Sequence, residues 1–192
     1  MLLPLSQKPS AERGFNGPRA DGVNRPVGSV LIRPVNPIDR NIAIDANALD
    51  RADPARAAAV DRLCELHQAN RFNLIVPKGV RAEFLHPKTP DDVKALGLPH
   101  LYSIEVELTP HETRMRQDIE RELQGNARPG KHTADADHLF ESSKYCSYFI
   151  THDERIINRS GDLRSILVPS LSIVTLIEFL VIFDKYDEAC QT

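Results

Sequence analysis

NIAIDANALD, residues 41–50, decides the fold. Ile42 and Ile44 alternate with smaller or polar neighbours, which reads as a short strand that ends in Asp45. A second stretch repeats the theme: SYFITHDERI, residues 147–156, is an apolar strand followed by Thr151 and Asp153. Between and after these two the chain alternates strand and helix. Asp53 is a natural N-cap with Pro54 in the first turn, so a helix should run from about Asp53 to Asn70. Its apolar stripe would be Val60, Leu63, Cys64 and His67. FNLIVP (72–77) is a second strand, and KGVRAEFLH (78–86) is a short helix that stops before Pro87. Residues 87–99 read as a Pro-rich loop, and YSIEVEL (102–108) as an alternating strand.

TPHETRMRQDIERELQ (109–124) opens on Thr-Pro with Glu112 near the first turn and should be helical. GNARPGK is a loop. HTADADHLFESSKY (132–145) should be a helix capped by Thr133, with Ala136, Leu139, Phe140 and Ser143 facing the core. ERIINR and DLRSIL read as short helices around Gly161, SIVT (172–175) as a last strand, and LIEFLVIFDKYDEA (176–189) as an amphipathic helix. Strand–helix alternation implies an α/β protein with a mainly parallel sheet and helices on both faces.

Open parallel sheets build their sites beyond the carboxyl ends of the strands. Asp45 and Asp153 would therefore open into one crevice if their strands run the same way. Two more acids, Glu83 and Asp135, lie on expected helices. Carboxylates gathered in one pocket repel each other, and divalent cations relieve that repulsion. Asp135 sits in the first turn of its helix, where the helix dipole favours the ionised form by roughly 0.3–1 kcal/mol. Asp137 points about 200° away around the axis, so the two acids cannot easily share one cation. We choose Asp135 and leave Asp137 as a solvated acid or one that supports the ligands from behind; spacing does not decide between the two. The four candidates are thus Asp45, Glu83, Asp135 and Asp153.

These pieces resemble the PIN-domain family of nucleases, many of which are toxins of type II toxin–antitoxin pairs. IDANALD, VPKGVRAEFL, ADADHLF and YFITHDERI carry the likeness, which spans about residues 41–183. It supports Asp135 over Asp137. It implies a three-layer α/β/α sandwich, a Mg²⁺ or Mn²⁺ cofactor held by the four acids, and cleavage of single-stranded RNA. It also suggests Asn47 and Thr151 as polar helpers, one orienting Asp45 and the other near the scissile phosphate. Residues 41–192 would form this domain. The departures are a longer start and an insertion between Pro87 and His100.

Composition bounds the rest. The hydrophobic fraction of 41% suits a soluble globular chain, and no apolar run is long enough for a membrane span. MLLPLSQKPS lacks the basic lead of a signal peptide, so a cytoplasmic location is expected. Cys64, Cys146 and Cys190 show no CxxC spacing, and the histidines no zinc spacing. The net charge of −3 does not advertise a nucleic-acid binder. Residues 1–40, rich in Pro, Gly and Arg, read as a largely irregular extension in which VGSVLIRPV (27–35) could lie along the body.

Basic residues that could hold an RNA backbone are Arg128, Lys131, His132 and Arg155. His138 and His152 lie near the acids but are given no role as general base. The apolar residues of 176–183 are expected to be mostly core, yet the stripe could also serve a homodimer or an antitoxin protein. A haloacid-dehalogenase-like phosphatase is disfavoured, because it needs an aspartate where this chain has Asn47. A non-catalytic PIN-like scaffold that binds RNA or protein is the remaining alternative.

Overall fold

A computed structural model describes residues 35–38, 40–100 and 107–190. Most of the N-terminal extension, including nearly all of VGSVLIRPV, and most of the YSIEVEL strand lie outside these residues.

The chain is α/β. Strand β1 (Asn41–Ile44) leads through a 3₁₀ turn (Ala46–Leu49) to helix α1 (Pro54–Gln68), whose first turn is capped by the Asp53 side chain, which accepts from Arg56 N–H. Strand β2 (Asn73–Ile75) is followed by a 3₁₀ turn (Lys78–Val80) and the short helix α2 (Arg81–Phe84). Then come α3 (Asp91–Gly97), α4 (Pro110–Gln124), α5 (Thr133–Tyr145) and β3 (Tyr148–Ile150). Helices α6 (Glu154–Asn158) and α7 (Ser160–Leu163), strand β4 (Ser172–Val174) and helix α8 (Leu176–Cys190) complete the order. No helix among the described residues is long and apolar enough to cross a membrane.

The four strands form one sheet in the order β2-β1-β3-β4, every neighbouring pair parallel. Alternation along the strands divides the core into two layers. Ile42, Ile44, Tyr148 and Ile150 face one side, with Val60 and Leu63 of α1 and Phe179 and Phe183 of α8. Ala43 and Phe149 face the other, with Ile119 and Leu123 of α4, Leu139 and Phe140 of α5, and Ile156 and Leu163 beyond β3. Helices cover both faces, which makes a three-layer sandwich. Tyr148 also donates its hydroxyl to the Val35 carbonyl, tying the chain just before β1 to the sheet.

Residues 87–99 correct the sequence reading: they contain α3 rather than a continuous loop. The prolines that suggested a loop stand at its ends. Pro90 occupies the N-cap position, and Asp91 and Asp92 lie at the positive end of the helix. Val93 is buried, and a Cβ on Gly97 would lie 2.0 Å from the Phe84 ring, so α3 docks on α2 through a contact only glycine allows. Thr133 is a second correction. It does not cap α5; its hydroxyl contacts Glu120 and the Gly130 carbonyl, and His132 holds the N-cap position without a side-chain cap. Thr109 and Glu112 form the full capping box of α4. Gly161 lies within α7 rather than between two helices.

Candidate metal centre

The centre grows from the pairing of β1 with β3. Ile44 stands opposite Ile150, so the chain leaves both strands at the same edge, and Asp45 comes beside Thr151. Asp45 donates its backbone N–H to the Ile150 carbonyl, and its side chain is only 5% exposed. That side chain makes no cap for the following 3₁₀ turn. Its Oδ2 instead accepts from Asn47 Nδ2 at 2.8 Å and from Thr151 Oγ1 at 2.8 Å. Asn47 Oδ1 in turn accepts from His152 N–H at 2.7 Å, and Thr151 Oγ1 accepts from Asp153 N–H at 3.0 Å. Both polar residues therefore orient Asp45, where the resemblance suggested one.

Glu83 of α2 and His138 of α5 converge on Asp45. One ligand atom from each lies within 4.8 Å of the others. His138 is 2% exposed and its Nε2 has no hydrogen-bond partner. The 3₁₀ turn before α2 presses Gly79 onto this ring: a Cβ there would stand 2.6 Å from Cδ2 and 2.8 Å from Nε2. Glu141, one turn further along α5, faces the same turn; burial raises its pKa against the lowering effect of the Gly79 and Lys78 N–H groups. The charges are poorly compensated. Burial raises the Asp45 pKa above the ordinary carboxylate value, against the lowering effects of the Thr151 hydrogen bond and of His138. Glu83 is pushed up to about 7, first by burial and then by the Asp45 charge, with Asp135 adding in the same direction.

Asp135 and Asp153 stand differently. Arg155 Nη2 donates to Asp135 Oδ2 at 2.8 Å and to Asp153 Oδ2 at 2.7 Å, so one guanidinium bridges both carboxylates. His132 Nδ1 lies 3.2 Å from Asp135 Oδ2, and Arg155 Nη1 contacts the same imidazole. Asp153 also caps α6, its Oδ1 accepting from Arg155 N–H at 2.8 Å. Asp137 pairs with Arg116 of α4, with Arg116 Nη2 donating at 3.0 Å to Oδ2. The fold thus gathers Asp45 and Glu83 in one cluster, joins Asp135 and Asp153 through Arg155 in a second, and turns Asp137 to α4.

Of the basic residues, Arg128 and Lys131 are exposed on the loop between α4 and α5, while Arg155 and His132 are engaged with the acids. A cleft of about 810 Å³ opens beside Glu83, lined by Asn47, Arg51, His86, Lys88 and Asp92 among others. Arg51 in that wall donates to Asp61 at 2.7 Å and lies 3.3 Å from Asp92.

Sequence reasoning did not place His138 among the ligands. The available signal was its i+3 position from Asp135, which puts both on one face of α5. Metal spacing rules could not find it, because its companions Asp45 and Glu83 come from distant segments. No protein-family model, curated protein or solved structure matches the chain.

Proposed function

We propose that this protein is a divalent-metal-dependent endoribonuclease of PIN-like type, hydrolysing phosphodiester bonds in single-stranded RNA. One observation carries the reading. A buried carboxylate, a half-buried one and a buried imidazole with an unpartnered nitrogen meet at the carboxyl edge of a parallel sheet. Leaving such groups buried and unmatched costs roughly 1–3 kcal/mol for each polar atom, and more for a charge. A cation answers all three at once, so the donor set fits a divalent metal such as Mg²⁺ or Mn²⁺. Asp45, Glu83 and His138 would hold it, with Asp135 near enough for its charge to act on both carboxylates. When bound, a divalent cation supplies Lewis acidity toward a phosphate oxygen and a water acidified toward neutral pH.

The chain's own groups do the rest. Asn47 and Thr151 fix the carboxylate of Asp45 so that it need not reorganise. Glu83, its pKa raised to about 7, would have to be ionised to hold a cation. Arg155 keeps Asp135 and Asp153 from repelling each other. The cleft beside Glu83 presents His86 and Lys88 for a phosphate backbone, and the exposed Arg128 and Lys131 on the α4–α5 loop are further candidates. The choice of a single-stranded substrate, a cytoplasmic setting and a place in a toxin–antitoxin pair follow from the PIN resemblance. An antitoxin or a second copy would find Ile177 and Val181 of α8, 47% and 50% exposed, one helical turn apart.

The alternative is a non-catalytic PIN-like scaffold that binds RNA or protein. Arg155 favours it, since this residue already neutralises two of the four acids. Mn²⁺-dependent cutting of single-stranded RNA by the wild-type chain, lost in Asp45→Asn, is the expected result. A wild-type chain that binds no metal and cuts nothing makes the scaffold the better reading.

A further inference from the structure

Asp45, Glu83 and His138 are unlike a pure carboxylate site, and the difference lies in one atom. His138 is buried, its Nε2 lacks a hydrogen-bond partner, and a nitrogen of its ring stands within 4.8 Å of a carboxylate oxygen from each of Asp45 and Glu83. Its position is enforced rather than incidental. Gly79 sits so close that any side chain there would displace the ring. A buried imidazole nitrogen without a partner is unfavourable unless a ligand completes it.

We propose that His138 Nε2 is a direct metal ligand, and that this centre prefers a transition-metal dication such as Mn²⁺ or Co²⁺ over Mg²⁺. The inference rests on the metal-site reading above and specifies which ion that site takes. Mg²⁺ is a hard ion that demands near-ideal octahedral oxygen ligation and keeps several waters. Imidazole suits the borderline first-row ions, whose affinity for a given nitrogen–oxygen site rises from Mn²⁺ through Co²⁺. Two carboxylates supply the charge, and the imidazole supplies the discrimination. With oxygen ligands alone the site would hold Mg²⁺ and Mn²⁺ more evenly; with the nitrogen it should favour Mn²⁺ over Mg²⁺, and Co²⁺ over both.

The test uses the full chain. Calorimetric titration with Mg²⁺, Mn²⁺ and Co²⁺ gives the affinity order. Pulsed electron paramagnetic resonance of the Mn²⁺-loaded protein reads ¹⁴N modulation from a coordinated imidazole without any need for activity. The wild type should show that modulation and the order Co²⁺ above Mn²⁺ above Mg²⁺. His138→Gln should lose the modulation and weaken Mn²⁺ binding by roughly 100-fold or more, with a much smaller loss for Mg²⁺. Gly79→Ala keeps the imidazole but moves it, and should also lower Mn²⁺ affinity while the metal-free circular dichroism stays that of the wild type. This second variant separates loss of the ligand from loss of the fold.

Mn²⁺ binding without ¹⁴N modulation, or equal Mg²⁺ and Mn²⁺ affinities, overturns the ligand assignment and leaves the nuclease reading standing if RNA is still cut. Modulation without RNA cleavage supports the assignment and removes the nuclease reading. Absence of any metal binding removes both.

Discussion

Two acidic clusters lie at the same edge of the sheet and are neutralised in opposite ways. Asp135 and Asp153 share the guanidinium of Arg155, a permanent counter-ion that the chain brings itself. Among the described residues no lysine or arginine pairs with Asp45 or Glu83; besides the neutral donors Asn47 and Thr151, the group that converges on them is His138, whose Nε2 is unpartnered. Burial and the mutual repulsion of the two carboxylates instead disfavour the doubly charged pair, and Glu83 is pushed up to about 7. The lesson is that a group of four acids need not be a four-ligand site. The fold invests one pair in structure and leaves the other deficient in positive charge, which is the condition for taking up an exogenous cation.

The sharpest way to break this contrast is Asp45→Asn. We expect Mn²⁺ affinity to fall by more than about 100-fold and RNA cleavage to disappear, while the metal-free melting temperature stays level or rises. The amide keeps the hydrogen-bonding shape and removes a buried charge, so a large loss of metal-free stability would mean that the pair is not under electrostatic strain.

The converse variant is Arg155→Leu. Asp135 and Asp153 would then face each other without a counter-ion. Because all three side chains keep about a quarter to a third of their exposure, the metal-free protein should lose only about 1–2 kcal/mol. More telling is the stoichiometry: a second divalent cation should bind where the guanidinium was. Titration that still saturates at one ion would show that the two clusters are not equivalent in geometry once the arginine is gone.

A pH series sharpens the contrast without mutation. Glu83 has a folded pKa of about 7 against 4.5 for an ordinary glutamate. Between those values the folded state binds more protons than the unfolded chain, so metal-free stability should fall as pH rises from about 4.5 to 7 and level off above. The decline should be on the order of 2 kcal/mol, allowing for water that still reaches the half-buried carboxyl. Glu83→Gln should remove most of this contribution. Mn²⁺ should stabilise the protein more at pH 8 than at pH 5.5, because the metal competes with that proton. Chemical denaturation across the range measures both.

The smallest expected effect is that of Thr151→Val. Asp45 keeps Asn47 but loses the hydroxyl donor at 2.8 Å. Metal affinity should drop by about tenfold and stability by about 1 kcal/mol, read by calorimetry and thermal melting. An unchanged affinity would show that Asn47 alone orients the carboxylate.

Much of the fold was legible because its signals are local. The alternation in NIAID and SYFIT, the Asp53-Pro54 start and the Thr109–Glu112 box each act within a few residues, and each forms where the pattern pointed. The failures have a physical cause. Prolines at 87, 90 and 99 look alike whether they fill a loop or flank a helix, and α3 is settled by Val93 and Gly97 docking on residues outside the segment. Thr133 has the chemistry of a cap but spends its hydroxyl on Glu120 and Gly130.

By itself the chain determined the parallel α/β order and placed Asp45 and Asp153 at strand ends, because strand period and strand direction are set by neighbours in sequence. Which acids meet was decided only in three dimensions. Nothing local distinguishes Arg155 as a bridge between two carboxylates or His138 as the companion of two others. Those identities depend on α5 packing beside the turn at Gly79, and on a desolvation that no side chain experiences until the core closes around it.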